Sequence, residues 1–202
     1  HRKWANSPED LMPLMENNQR TAGELLEKVD APDVARKLLE SKDHLTRSFA
    51  ARSLAKVEDL HELFSSDEHH SVRIVAASNS LDTKLISKLI DDSHSSVRRA
   101  AIATASNEGL ELNDETLERG LSSSDPSMRS LIASLAVKSG GDMLERVCKD
   151  SNPKVRKAIA DTLRSDIEDA DERIELIARV NPDIIVRWLR SKHDSKSVQL
   201  RW

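Results

Sequence analysis

The chain has 202 residues, of which 38% are hydrophobic and 33% charged, and its formal net charge is −4. Such a length holds one or two domains with a substantial core, and the composition is too apolar for a disordered chain and too charged for a membrane protein. The charge is balanced along the chain, 15 Lys/Arg against 17 Asp/Glu over residues 1–100 and 16 against 18 over 101–202, so neither half is basic enough to announce a nucleic-acid binder.

Five glycines and little Val-Thr-Tyr alternation argue against sheets, and the chain reads as all-α. Ser7-Pro8 places a capping side chain before a proline at the first helical position and opens a degenerate helix pair over 8–29, in which Pro13 is expected to kink or end a short first helix. Asp30-Ala31-Pro32 is a looser start for a pair over 32–55. The pair over 57–79 has Leu60, Leu63 and Phe64 at one-face spacing, and the pair over 82–107 has Leu85, Leu89 and Ile90. Leu117 and Leu121 mark a pair over 113–138, whose second helix opens at Asp125-Pro126. Gly140-Gly141 reads as a helix break, followed by a pair over 141–164 with Leu144, Val147 and a restart at Asn152-Pro153. Ile174, Ile177 and Asn181-Pro182 mark the last pair, 169–192. Residues 193–202 show no periodicity and read as a flexible C-terminal tail, while 1–31 read as degenerate capping helices. A first residue of His rather than Met fits a tag remnant or a domain cut from something longer. No linker divides the chain.

One feature recurs. The stretches "DHLTRSFAA", "DEHHSVRIVAA", "DSHSSVRRAA", "DPSMRSLIA", "DSNPKVRKAIA" and "NPDIIVRWL" align on Arg47, Arg73, Arg98, Arg129, Arg156 and Arg187, separated by 26, 25, 31, 27 and 31 residues. Positions three and four beyond the Arg are small or apolar in the first five copies. A nearly constant period with two helices per unit indicates an α-solenoid, in which each unit buries its apolar face only against its neighbours.

The pattern of Asp, five residues, then Arg, with Val before the Arg and small residues after it, resembles the HEAT family of repeats over roughly residues 32–190. Residues 72–107 are also similar to leucine-rich variant repeats, although the cysteine cluster that some of those carry has no counterpart here. The resemblance implies a right-handed superhelix of about six or seven helix-turn-helix repeats and a structural ladder of stacked Asp and Arg. By position the ladder residues are Asp67 with Arg73, Asp92 with Arg98, and Asp150 with Arg156. Ser41, Ser123 and Asn181 stand at the Asp position elsewhere, where the ladder is interrupted or Asp43 and Asp125 substitute from two residues later. An Asp entering a helix can accept free backbone N–H groups, and a planar Arg from a stacked neighbour can bond the same carboxylate twice.

Catalytic and metal chemistry find little footing. His61-Glu62 with Asp67, Glu68, His69 and His70 is the densest set of possible ligands. HEAT-like metal-dependent hydroxylases use His-Glu pairs in several repeats, and here His-Glu occurs once, so no metal or cofactor is expected and the cluster reads as a solvated polar turn. Cys148 reads as a small buried hydrophobe in a reducing, cytoplasmic compartment. The serine-rich turns read as helix caps, and no nucleophile elbow or phosphate-binding glycine loop occurs. The acidic run 166–175 reads as a solvated helix start. No apolar run approaches the roughly 20 residues that cross a bilayer, and no secretory signal is read, so no membrane is expected.

The expectation is therefore a non-enzymatic scaffold that binds a protein partner or another domain of a longer chain. Contact residues are expected beside the anchors: Arg99, Lys154, Lys157 and Arg190, with Trp188 as an aromatic anchor. A basic stripe formed by Arg98, Arg99, Arg129, Lys154, Arg156, Lys157, Arg187 and Arg190 keeps nucleic acid as an alternative partner, in the manner of HEAT-like DNA-repair proteins. The scarcity of aromatics (Trp4, Phe49, Phe64, Trp188, Trp202 and no Tyr) weighs against that alternative.

Overall fold

The structure, a computed structural model, describes residues 7–163 and 170–199. Trp4, Trp202, the start of the chain and the first part of the acidic run lie outside the described residues. Among the described residues there are fourteen α-helices and no strand. They form two compact units that divide between Leu110 and Glu111, a boundary that no linker composition marks.

The first unit holds α1 (Pro8–Asn17), α2 (Gln19–Leu25), α3 (Pro32–Leu38), α4 (His44–Ser53), α5 (His61–Ser65), α6 (His70–Asn79), α7 (Thr83–Ile90) and α8 (Ser95–Glu108). The even-numbered helices pack in series, α2 on α4, α4 on α6 and α6 on α8, and α3, α5 and α7 each pack on the helix that follows them. Small residues allow the close approach in the even row: Ala50, Ala51, Ala76, Ala77 and Ala101, three or four positions beyond Arg47, Arg73 and Arg98, are all fully buried, as is the larger Ile102. Asp43 and Asp82 cap α4 and α7 by accepting backbone N–H groups of the first turn. Helix α8 ends at Gly109, whose left-handed backbone (φ +64°) a side chain would strain.

Pro13 lies inside α1 and does not end it; the helix runs on to Asn17, whose side chain bonds the Pro13 carbonyl. The apolar face expected from Leu60, Leu63 and Phe64 is rotated, because a 3-10 turn over Glu58–Leu60 precedes the short α5. Phe64 is buried and Leu63 is exposed, and His61, one turn before Phe64, takes the inward place.

The second unit holds α9 (Asp114–Leu121), α10 (Pro126–Ser139), α11 (Gly141–Cys148), α12 (Pro153–Thr162), α13 (Ala170–Val180) and α14 (Pro182–Gln199). Helices α10, α12 and α14 pack in series, α9 and α11 both lie on α10, and α13 contacts α11 and α14. Asn113, Asp125 and Asn152 cap α9, α10 and α12. Gly140, at φ +75°, is the single residue between α10 and α11 and caps both, a connection that only glycine makes without strain. The core includes Leu117, Leu121, Ile132, Leu144, Val147, Ile159 and Ile177. The backbone of α14 stays helical to Gln199, beyond residue 192 where the tail was expected to begin. No helix among the described residues is long and apolar enough to cross a membrane.

Candidate functional site

Five of the six anchor arginines make one and the same clamp. Nη1 of Arg47 donates to the carbonyls of Ser41 and Lys42 at 2.9 and 3.2 Å, six and five residues earlier. Arg73 does so to Asp67 and Glu68, Arg98 to Asp92 and Ser93, Arg129 to Ser123 and Ser124, and Arg156 to Asp150 and Ser151. In each case the helix begins with a cap four residues before the Arg, so the extended two-residue turn ahead of the cap leaves two carbonyls pointing back at the guanidinium.

Three of these arginines use their remaining edge on a carboxylate. Nε and Nη2 of Arg47 grip Asp67 at 2.8 and 3.0 Å, those of Arg73 grip Asp92 at 2.7 and 2.8 Å, and those of Arg129 grip Asp150 at 2.7 and 3.3 Å. The pairing differs from the positional expectation. Each Asp is bonded by the guanidinium of the preceding helix pair, whereas the Arg six residues after it holds only its carbonyl. The same carboxylates accept the backbone N–H two residues on, at His69, His94 and Asn152. Burial raises the Asp67 and Asp92 carboxyls, but the facing Arg and that amide outweigh it, so both sit below the ordinary carboxylate value; for Asp150 the Arg129 bond dominates from the start.

Where the Asp is replaced, its two duties separate. The hydroxyls of Ser41 and Ser123 still accept the N–H two residues on, at Asp43 and Asp125, but bring no charge. Asp43 and Asp125 do not substitute for them; both are spent as helix caps. Arg98 and Arg156 accordingly have no carboxylate partner among the described residues. Asn181, at the Asp position facing Arg156, instead donates its amide to the Cys148 carbonyl. Arg187 makes no clamp, because α14 starts directly after Asn181 and the Asn181 carbonyl is taken by the Ile184 N–H.

The expected contact residues fall into two groups. Arg99, Lys154, Lys157 and Arg190 are exposed, with Lys157 paired to Asp161 one turn on. Trp188 is not an exposed anchor: it is 9% exposed, and its indole N–H donates to the Leu163 carbonyl at the end of α12. The basic stripe also loses Arg129 to Asp150. What stays together in the second unit is Arg156, Arg187 and Arg190, which line a cleft of about 360 Å³ with Asp183, Ile184 and Val186.

The histidine-rich turn proves more ordered than a solvated one. His61 is buried, with Nε2 2.7 Å from the Ala55 carbonyl. His69 and His94 cap α6 and α8, each accepting a backbone N–H on Nδ1, from Ser71 and Ser96. Their rings stack with neighbours, His44 on His69 and His70 on His94, both with centroids 3.7 Å apart, and His69 and His70 lie 4.4 Å apart. The four imidazoles thus form a column across three successive helix starts. The signal is present in the sequence as histidines at successive helix starts, His44, His69 with His70, and His94, of which only His69 and His70 fall in the cluster read as possible metal ligands. Among the described residues no group of three or more His, Cys, Asp and Glu side chains could hold a metal ion. Cys148 is buried, which pushes its thiol up to about 11.

In comparisons with known proteins, no family model matches the chain and no curated protein matches it significantly.

Proposed function

We propose that the helix pairs are HEAT-like repeats of an α-solenoid and that the chain is a non-enzymatic cytoplasmic scaffold, taking a protein partner or another domain of a longer chain on its even-numbered helices. The observation that carries this reading is the recurrence of the Arg clamp at five turns. An active site needs one special constellation, whereas a constellation built five times serves what every pair shares, the fixing of the turn between its two helices, and three of the five also reach the next pair. The exposed residues beside the clamps, Arg99, Lys154 and Arg190, are free of that duty and face solvent. Within each unit, helices packed in series and bearing such residues suit an extended or helical segment held by many modest contacts.

The test is to pan a random peptide library against the protein and measure the selected peptides in increasing salt. Enriched peptides whose affinity survives moderate salt support the scaffold. Duplex DNA or RNA binding that falls steeply with salt, with no peptide enrichment, would replace it by the nucleic-acid reading.

A further inference from the structure

We infer that the cleft of Arg156, Arg187 and Arg190 binds a carboxylate side chain on an acidic segment of a protein partner; the inference rests on the scaffold reading and specifies where and by what chemistry it acts. Three rungs are complete among the described residues. In each, Nη1 is fixed on two turn carbonyls and the Nε/Nη2 edge, so oriented, takes a carboxylate in two bonds of 2.7–3.3 Å. Arg156 is fixed in the same way, at 2.8 and 2.7 Å, and Asn181 supplies no carboxylate to its other edge. Its guanidinium is thus pre-organised for a ligand that the chain itself provides to Arg47, Arg73 and Arg129.

Two further cations converge there. Because α14 starts early, Arg187 is released from the clamp geometry, and Arg190, one turn on, lines the same cleft. Among the described residues three guanidiniums and the one carboxylate of Asp183 line the cleft, an excess of positive charge. Neither Arg187 nor Arg190 pairs with an acid among the described residues.

The surroundings favour a protein segment over a nucleic-acid backbone. Asp183 in the wall opposes a train of phosphates but leaves room for one carboxylate held by the facing guanidiniums. Val186 in the wall and Leu189 one turn on are 44% and 52% exposed, an apolar margin that suits an aliphatic neighbour of the bound acid and offers nothing to a sugar-phosphate chain.

The experiment measures anisotropy of a short fluorescein-labelled peptide alternating Glu and Val, its Gln counterpart and a short duplex DNA. The wild type should bind the Glu peptide at least about tenfold more tightly than the Gln peptide. The double variant Arg187→Glu/Arg190→Glu, whose sites are exposed and whose circular dichroism should match the wild type, should lose that preference. Arg156→Lys, which keeps the charge without the planar fork, should weaken the Glu peptide alone. Equal binding of the two peptides, or wild-type affinity in the double variant, overturns the site. Duplex binding that needs Arg187 and Arg190, with no preference for Glu, overturns it in favour of phosphate. Glu-peptide binding abolished by Arg99→Glu or Lys154→Glu but not by the double variant would leave the scaffold reading intact and this site wrong. Absence of all peptide binding here, with peptides enriched in library panning, would also sink the acidic ligand alone; failure of both would sink the scaffold as well.

Discussion

Arg73 holds two carbonyls of its own turn and the carboxylate of Asp92, whereas Arg98 holds carbonyls only. The difference predicts unequal costs for the same substitution. Arg73→Met leaves Asp92, whose side chain is 9% exposed, without a counter-charge, and should destabilise the protein by about 3 kcal/mol. Arg98→Met removes two hydrogen bonds and should cost about 1–1.5 kcal/mol. Urea unfolding of both variants checks the order, and equal losses would deny the rung its electrostatic part. A second residue-scale prediction concerns Gly120: a Cβ there would meet Ile132 Cγ1 at 2.6 Å, so Gly120→Ala should cost about 1–3 kcal/mol despite its better helix propensity. The arginines were legible in the sequence because their spacing repeats. That a stacked neighbour's Arg would take the carboxylate was expected from its planar fork; that the neighbour is the preceding pair, Arg47 for Asp67, was not, since sequence position only groups Asp67 with Arg73. Trp188 shows the same limit, because an aromatic beside basic residues reads alike whether it faces a partner or the core.

At the scale of elements, the helix starts of the first unit carry chemistry that those of the second lack. Asp, Asn and Pro starts were legible from capping rules, but the caps at His69 and His94 were not, because histidine is an uncommon cap and its role depends on the ring turning Nδ1 toward the chain. A capping Nδ1 must be unprotonated, so the proton of the neutral ring sits on Nε2. Burial, then the charge of neighbouring imidazoles, holds His69 and His70 below the ordinary value of 6.5, against the opposing pull of Asp67 and Asp92. The folded state therefore binds fewer protons than the unfolded state. The stability from these groups is present above 6.5 and is lost as pH falls through their lower folded values. The melting temperature should therefore fall as pH is lowered below 6.5. His69→Asn keeps a capping acceptor and removes one of the two depressed rings, so the variant should show a flatter profile; an unchanged slope would acquit the column.

For the whole molecule, the two units should meet acid differently. The first contains the imidazole column and two complete rungs, Arg47–Asp67 and Arg73–Asp92. The second has one rung, Arg129–Asp150, and no histidine between residues 111 and 192. The depressed carboxyls act in another window: their stabilisation is present above the ordinary 3.8 and disappears as pH falls through the lower folded values. The first unit should thus weaken in two steps, beginning below 6.5, and the second chiefly in the carboxylate range. Hydrogen exchange of the full chain at successive pH values, corrected for intrinsic rates, reads both at once. Protection should fall first in α4, α6 and α8, while α10 and α12 keep theirs until the carboxylates titrate. Simultaneous loss in both rows near pH 6 would mean that the column does not govern the acid response and that the units unfold together.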